Sequence, residues 1–182
     1  MKKILIVVTS AFLLNLSSEQ GNITKLNGID IWWESHGDIN NPTALLIMGL
    51  NSNSKVWSDQ YIENLVANNL HVLVFDNRDI GKSTWITEEP GLITFIKYLP
   101  NFLQVYFVEF IFGFIFDEEG KFNMENPAPA EYNLSDMAMD GIALLDHLEI
   151  SEAHIIGASM GGMIAQVMAL EHSDRVKSLT LF

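Results

Sequence analysis

The stretch HIIGASMGGMIAQVMA, residues 154–169, decides the fold and holds the main candidate for chemistry. An apolar run ends at Gly157, Ser159 follows among small residues, and apolar residues then recur at helical spacing. Residues 157–161 therefore read G-x-S-x-G between a predicted strand and a predicted helix, the context of a nucleophilic serine on a sharp turn. The alternative is an ordinary turn of small residues with an incidental serine.

The two glycines of this motif have a steric explanation. On a tight, strained turn the hydroxyl of Ser159 would project beyond the end of the strand, and side chains at Gly157 and Gly161 would strike the strand and the helix. The amide of Met160 would begin the helix, where the helix dipole favours a developing oxyanion. We therefore predict Ser159 as the catalytic nucleophile and the Met160 amide as one oxyanion-hole donor.

Short apolar strands alternate with amphipathic helices along the rest of the chain. Strands are predicted at 43–49, 71–76, 153–159 and 176–182, helices at 57–70, 134–148 and 160–170, and a hairpin that turns at Asn27-Gly28. In the helix at 134–148 we expect Ser135 to be the cap and Met139, Ile142 and Leu145 to lie on the buried side. This alternation predicts an α/β fold, with a mostly parallel sheet, helices on both faces and the antiparallel hairpin at one edge.

Composition excludes several classes of function. With 182 residues, 48% of them hydrophobic, the chain can bury the core of one domain. Its net charge of −13 argues against a nucleic-acid partner, because phosphate binding requires clustered Lys and Arg. The chain has no cysteine, which excludes disulfides, thiolate zinc sites and a cysteine nucleophile.

The first 20 residues have the three-part pattern of a secretory signal peptide. Lys2 and Lys3 precede an apolar run at 4–16, which is too short to span a membrane, and a polar segment follows. We predict a signal peptide at 1–20, export of the protein, and a hydrolase-type domain over 21–182. The alternative is a first β-strand in a cytoplasmic protein.

A second apolar segment interrupts the alternation. Residues 91–116 are dense in aromatic and aliphatic side chains, and Pro100 and Gly113 break the run. We predict a hydrophobic cap insertion at about 91–126, packed over the sheet. A lid over an apolar substrate is the sharper form of this hypothesis, and contact with lipid is the less favoured alternative.

Three further segments resemble one known family. The segments 47–57 (IMGLNSNSKVW), 71–84 (HVLVFDNRDIGKST) and 132–182 resemble, in order, the α/β-hydrolase superfamily, and within it the aclacinomycin methylesterase-like esterases. The resemblance implies that residues 21–182 are the N-terminal portion of an α/β-hydrolase fold that is incomplete at its C-terminus. It also implies a small-molecule carboxylic ester as substrate, with no metal and no other cofactor. The composition of the apolar insertion suggests that this ester carries an apolar acyl or alcohol group.

The resemblance also implies roles for two loops. The loop after LLIMG would supply the second oxyanion donor, which we assign to the amide of Leu50, with Asn51 as second choice. Relatives often have His-Gly there, where this chain has Met48-Gly49, but a backbone donor tolerates that change. In the D-x-R-x-x-G-x-S segment, Asp76, Arg78 and Gly81 would be structural.

That same segment contains Gly81-Lys82-Ser83, which is similar to the end of a phosphate-binding loop. Such a loop needs a glycine five residues before Gly81, and Asp76 stands there. No helix is predicted to open at Lys82. We therefore expect no nucleotide binding here.

A serine nucleophile also needs a base and an acid. In this superfamily both follow the nucleophile, in the order acid then histidine, beyond the strand that ends at Phe182. None of the five histidines is predicted to be the base, because each is expected at the surface or at the end of an element far from Ser159 (His36, His71, His147, His154 and His172). Two hypotheses stay open: an incomplete copy of a serine hydrolase, with little activity as it stands, or an inactive protein that binds an apolar ligand or a partner chain.

Overall fold

The computed structural model describes residues 21–87 and 130–182, together with the single positions 100 and 103. The predicted signal peptide at 1–20, and the cap insertion at about 91–126 apart from those two positions, lie outside the described residues and stay predictions. The chain divides into two compact units, of which the second runs from Ile86 to Glu131. The first unit contains every element described below.

The first unit is built on one sheet whose described strands number six. The strands are β1 (Asn22–Leu26), β2 (Ile29–His36), β3 (Thr43–Ile47), β4 (His71–Phe75), β5 (Ala153–Gly157) and β6 (Val176–Leu181). They lie in the order β1-β2-β4-β3-β5-β6, and β4, β3, β5 and β6 run parallel. β1 and β2 are antiparallel at one edge, which confirms the predicted mostly parallel sheet with a hairpin at its margin.

The hairpin turns where the sequence predicts. Asn27 has φ 50° and Gly28 has φ 87°, so both central residues adopt the left-handed region that a two-residue hairpin turn requires. Asparagine and glycine are the residues that tolerate this conformation best. The turn fixes the register that pairs Leu26 with Ile29.

Among the described residues, three α-helices cover the two faces of the sheet: α1 (Asp59–Ala67), α2 (Leu134–His147) and α3 (Met160–Glu171). Alternate residues of the parallel strands point to opposite faces. Leu45, Leu73 and Ile155 pack with α2 and α3 in the larger core, and Leu46, Val74 and Ile156 pack with α1 in the smaller one. Because both faces are covered, these strands are apolar without alternation, as predicted.

The N-terminus of α2 differs from the prediction. The cap is Asn133, not Ser135, because the Asn133 side chain accepts hydrogen bonds from the amides of Ser135 and Asp136, and Asp136 accepts one from Asn133 in return. The predicted buried side is also partly wrong, since Met139 is 42% exposed. Asp140 is buried instead, which a purely apolar pattern does not reveal.

Candidate active site

Ser159 lies on the turn between β5 and α3, which we call the serine turn (residues 157–161). Its backbone has φ 54° and ψ −122°, a combination that costs a non-glycine residue about 1–3 kcal/mol. The Ser159 side chain is exposed and makes no capping hydrogen bond to α3. Its own amide is already used, since it donates to the carbonyl oxygen of Phe182 at 3.0 Å.

The two glycines of the serine turn are sterically required. A methyl group on Gly157 would overlap the carbonyl oxygen of Gly161, and one on Gly161 would overlap the carbonyl oxygen of Ile47 at the end of β3. Gly162 is different, because a methyl group there would lie 3.4 Å from its nearest neighbour, the carbonyl oxygen of Gly157. The serine turn thus requires Gly157 and Gly161, whereas Gly162, directly after it, is not sterically required.

The loop after β3, residues 48–54, lies against the serine turn, and we call it the donor loop. A methyl group on Gly49 would come within 2.9 Å of Cβ and 3.3 Å of Oγ of Ser159, so the backbone passes directly beside the hydroxyl. Within the described part of the chain, the amides of Leu50 and Met160 donate no hydrogen bond. The structure therefore brings together the predicted nucleophile, one predicted donor in the next residue, and Gly49, which leads into the other donor.

The turn after β4, residues 76–83, reaches the same edge of the sheet, and we call it the aspartate turn. The carboxylate of Asp76 accepts hydrogen bonds from the amide of Ser54 at 2.9 Å, from the hydroxyl of Ser54 at 2.8 Å and from the amide of Lys82 at 3.0 Å. The hydroxyl of Ser83 donates to the Asp76 carbonyl at 2.6 Å and accepts from the Trp32 amide at 3.0 Å. The Asp76 carboxylate and the Ser83 hydroxyl therefore hold the aspartate turn against the donor loop and β2. No helix begins at Lys82.

Arg78 connects the aspartate turn to α2. Its guanidinium donates to both carboxylate oxygens of Asp140, at 2.7 and 2.8 Å, and the side chains are only 10% and 1% exposed. Asn27 of the hairpin donates to the same carboxylate at 3.1 Å, and the Tyr132 ring lies 5.1 Å from the guanidinium carbon. Asp140 raises the pKa of Arg78, mainly through these hydrogen bonds.

Tyr132 is held neutral in this cluster. Burial raises the pKa of its phenol to about 12, and a hydrogen bond to Asp79 adds to the shift. The phenol therefore keeps its proton at alkaline pH values where a tyrosine with the ordinary pKa of 10.0 ionises. The cluster contributes fixed charge and packing, which fits the structural role predicted for Arg78.

The histidines occupy varied positions. His71 opens β4, as predicted, and is fully buried, with Nε2 2.9 Å from the hydroxyl of Ser35 and Nδ1 3.0 Å from that of Thr43. His154 contacts Ser178 across the β5–β6 ladder at 2.7 Å. No hydrogen bond joins a histidine of residues 21–87 or 130–182 to Ser159.

The described residues contain neither a metal-binding cluster nor a membrane-spanning helix. In the part of the chain that the structure describes, no group of three or more His, Asp or Glu side chains is arranged to hold a metal ion. None of the helices described above is both long enough and apolar enough to cross a membrane.

Comparison with known proteins identifies the family. The sequence profile of the alpha/beta hydrolase fold family matches residues 42–182. The chain therefore belongs to the alpha/beta hydrolase fold family, as the sequence resemblance implies.

Two enzymes illustrate the similarity in sequence. The chain is 28% identical over 153 residues to rhodomycin D methylesterase DnrP of Streptomyces peucetius. The aligned region covers 84% of this chain and 38% of the relative. It is 42% identical over 57 residues to the 2-hydroxymuconate semialdehyde hydrolase of Pseudomonas sp. strain CF600, which covers 31% of this chain and 20% of the relative. The chain thus spans about two fifths of the length of the methylesterases that it matches.

Solved structures give the same fold at lower identity. Epoxide hydrolase A from Mycobacterium thermoresistibile superposes with a TM-score of 0.62 and 20% identity, over 89% of this chain and 38% of that one. Est816, an N-acyl homoserine lactone degrading enzyme, superposes with a TM-score of 0.56 and 22% identity, over 88% of this chain and 44% of that one. At these identities the likeness shows the fold alone.

Sequence reasoning missed Asn77 and Asp140. Asn77 directly follows β4, and its Nδ2 donates to the carbonyl oxygen of Met48 in the donor loop at 2.9 Å. Its position alone was a signal, because residues just after parallel strands meet at the edge where such folds place ligands. For Asp140 the only signal was a carboxylate in the middle of an otherwise apolar helical pattern.

Proposed function

We propose that this protein is a serine hydrolase that cleaves carboxylic esters, with Ser159 as its nucleophile. The observation that carries the proposal is the exposed hydroxyl of Ser159 on a strained turn, directly beside Gly49 and followed by the free amide of Met160. A strained backbone at such a position is typical of functional sites. The similarity to two rhodomycin D methylesterases supports an ester as substrate.

The reaction proceeds in two steps. Ser159 Oγ attacks the acyl carbon and transfers its proton to a general base, and the oxyanion accepts hydrogen bonds from the amides of Leu50 and Met160. Collapse of this intermediate breaks the ester bond, and the alcohol leaves with the proton from the base. Water then attacks the acyl-enzyme, which releases the acid and restores the hydroxyl.

The general base in this proposal is a histidine supported by an acid, and both follow the nucleophile in the order that the family implies, acid then histidine. No histidine of residues 21–87 or 130–182 is hydrogen-bonded to Ser159, so the proposal assigns neither role to them. The proposed activity is that of the complete gene product. Residues 21–182 supply the nucleophile and the oxyanion donors.

We further propose that the substrate has an apolar acyl or alcohol group. Leu50, which follows Gly49 beside the Ser159 hydroxyl, has an apolar side chain that is 72% exposed. A series of p-nitrophenyl esters of increasing acyl length tests this. We expect kcat/KM to rise from acetate toward longer acyl chains, and a profile that favours acetate would contradict it.

The test of the nucleophile is Ser159→Ala in the complete gene product, assayed with p-nitrophenyl butyrate. Removal of the nucleophile is expected to lower kcat by about a thousandfold or more. The matched control is Ser173→Ala, since Ser173 is also an exposed serine and follows the other end of α3. Equal activity in Ser159→Ala and wild type would refute the proposed function.

We also propose export of the protein through the signal peptide predicted at 1–20. Its support is the sequence pattern alone. N-terminal sequencing of the mature protein from the native host should find a start near residue 21. An intact Met1 in a cytoplasmic fraction would contradict export.

A further inference from the structure

The donor loop has little internal support. Two long hydrogen bonds lie within its turn, from the Ser52 amide to the Gly49 carbonyl and from the Ser52 hydroxyl to the Leu50 carbonyl, both at 3.3 Å, and Asn51 adopts φ 53° there. The Leu50 side chain points to solvent, so core packing does not fix this residue. An oxyanion donor must nevertheless be held within a few tenths of an ångström of its working position.

Two consecutive residues of the aspartate turn hold the donor loop at its two ends. Asn77 donates to the Met48 carbonyl at 2.9 Å, and Asp76 accepts from the Ser54 amide at 2.9 Å. Asp76, Asn77 and Ser54 are each at most 3% exposed, so these hydrogen bonds are shielded from water. The Leu50 amide lies between the two anchored ends.

Asn77 holds the loop at an energetic cost. Its Oδ1 is buried and has no hydrogen-bond partner within the described part of the chain. Leaving a buried acceptor unpaired costs about 1–3 kcal/mol. Such a cost within a well-bonded turn indicates a function for the side chain beyond stability.

We propose that Asn77 is a positioning residue of the ester hydrolysis, which orients the Leu50 amide by fixing the carbonyl of Met48. The inference rests on the proposed function, because it assigns a role within the same site. Fixing the Met48 carbonyl fixes the plane of the Met48–Gly49 peptide. The next peptide, which carries the Leu50 amide, then has only the rotations of Gly49 left.

Asn77→Asp is the sharpest variant because it keeps the shape of the side chain. The carboxylate cannot donate to the Met48 carbonyl and places an acceptor against an acceptor. The matched control is Asn64→Asp, which adds the same charge on the exposed side of α1, outside the site. The Asn64 side chain uses its Oδ1, which accepts from the Gln60 amide group at 3.2 Å, and an aspartate keeps that hydrogen bond.

Steady-state hydrolysis of p-nitrophenyl butyrate by the complete gene product gives the first readout. We expect Asn77→Asp to lower kcat about ten- to a hundredfold, with KM within about twofold of wild type. Affinity for phenylboronic acid, whose tetrahedral serine adduct occupies the oxyanion site, should fall in parallel. Asn64→Asp should match wild type in both measurements.

Hydrogen exchange, followed by NMR, gives a readout that needs no activity. The Ser52 and Ser54 amides should exchange faster in Asn77→Asp than in wild type or Asn64→Asp, while amides of β3 and β5 stay protected. Unchanged exchange at these two serines would overturn the inference, whatever the activity. Wild-type kcat and boronate affinity in Asn77→Asp, alongside an inactive Ser159→Ala, would overturn it while leaving the proposed function intact.

Discussion

The serine turn and the aspartate turn lie at the same edge of one sheet and are built in opposite ways. In the aspartate turn the carboxylate of Asp76 accepts three hydrogen bonds, and Arg78 is paired with both oxygens of Asp140. In the serine turn the hydroxyl of Ser159 and the amide of Met160 are unpaired within the described residues. One turn therefore secures the structure, and the other leaves polar groups available to a reacting molecule.

This difference separates stability from activity. Buried, paired groups contribute to the folded state and are costly to disrupt, while exposed unpaired groups on a strained backbone contribute nothing to folding. Substitutions in the aspartate turn should therefore act mainly on the free energy of unfolding. Substitution of the serine side chain should act mainly on chemistry.

The largest effect on stability should come from Arg78→Met. It leaves the carboxylate of Asp140 buried without its cation, and breaking such a pair costs about 3–5 kcal/mol. Urea unfolding measures the loss. The control is Lys55→Met, which removes an exposed pair with Glu34 and should cost at most about 1 kcal/mol. Equal losses of unfolding free energy in the two variants would show that the buried pair contributes no more to stability than the exposed pair, which would contradict the comparison.

A somewhat smaller loss is expected for Gly161→Ala in the serine turn. The new methyl group would overlap the Ile47 carbonyl, and overpacking of this kind costs about 1–3 kcal/mol. Gly162→Ala is the matched control one residue later in α3. It has room for the methyl group and should stabilise the helix by up to about 1 kcal/mol. If both variants unfold at the same urea concentration, the close contact between Gly161 of α3 and Ile47 of β3 would be contradicted.

The smallest effect concerns pH and the other end of β4. Burial lowers the pKa of His71 from its ordinary value of 6.5, so the unfolded chain takes up a proton more readily than the folded one. The contribution of neutral His71 to stability is then complete above pH 6.5 and decreases as the pH falls below it. Unfolding free energies at pH 8 and pH 5 measure this.

His71→Asn should have a smaller loss of stability between pH 8 and pH 5 than wild type has. His172→Asn, at the end of α3, is the control and should keep the wild-type dependence. The same dependence in all three proteins would show that burial of His71 does not perturb its titration. The contrast between buried, paired groups and exposed, unpaired groups would then apply only to the two turns at the carboxyl edge of the sheet.

The sequence predicts the elements that depend on local patterns. Continuous apolar strands, helical periodicity and the Asn27-Gly28 turn depend on neighbours in the chain. The strands, the helices and the turn are confirmed, although the periodicity misplaced Met139. The place of Ser159 between a strand and a helix is likewise encoded by G-x-S-x-G, which the packing of Gly157 and Gly161 explains. A motif with a steric cause can be interpreted from sequence alone.

The sequence does not reveal which polar groups meet across the fold. Asp140 lies 62 residues from Arg78 and Asn77 lies 29 residues from Met48, so no local pattern connects either pair. The same limit applies to the burial of His71, whose partners come from β2 and β3. Capping of α2 by Asn133 instead of Ser135 reflects a choice between neighbouring polar residues, which backbone geometry decides.

The central claim is tested most directly by the site of covalent labelling. The complete gene product is incubated with a fluorophosphonate, and the modified peptide is identified by mass spectrometry, with Ser159→Ala and Ser173→Ala as parallel samples. The account predicts one adduct on Ser159, present in Ser173→Ala and absent from Ser159→Ala. An adduct on another serine, or labelling that survives in Ser159→Ala, would contradict it.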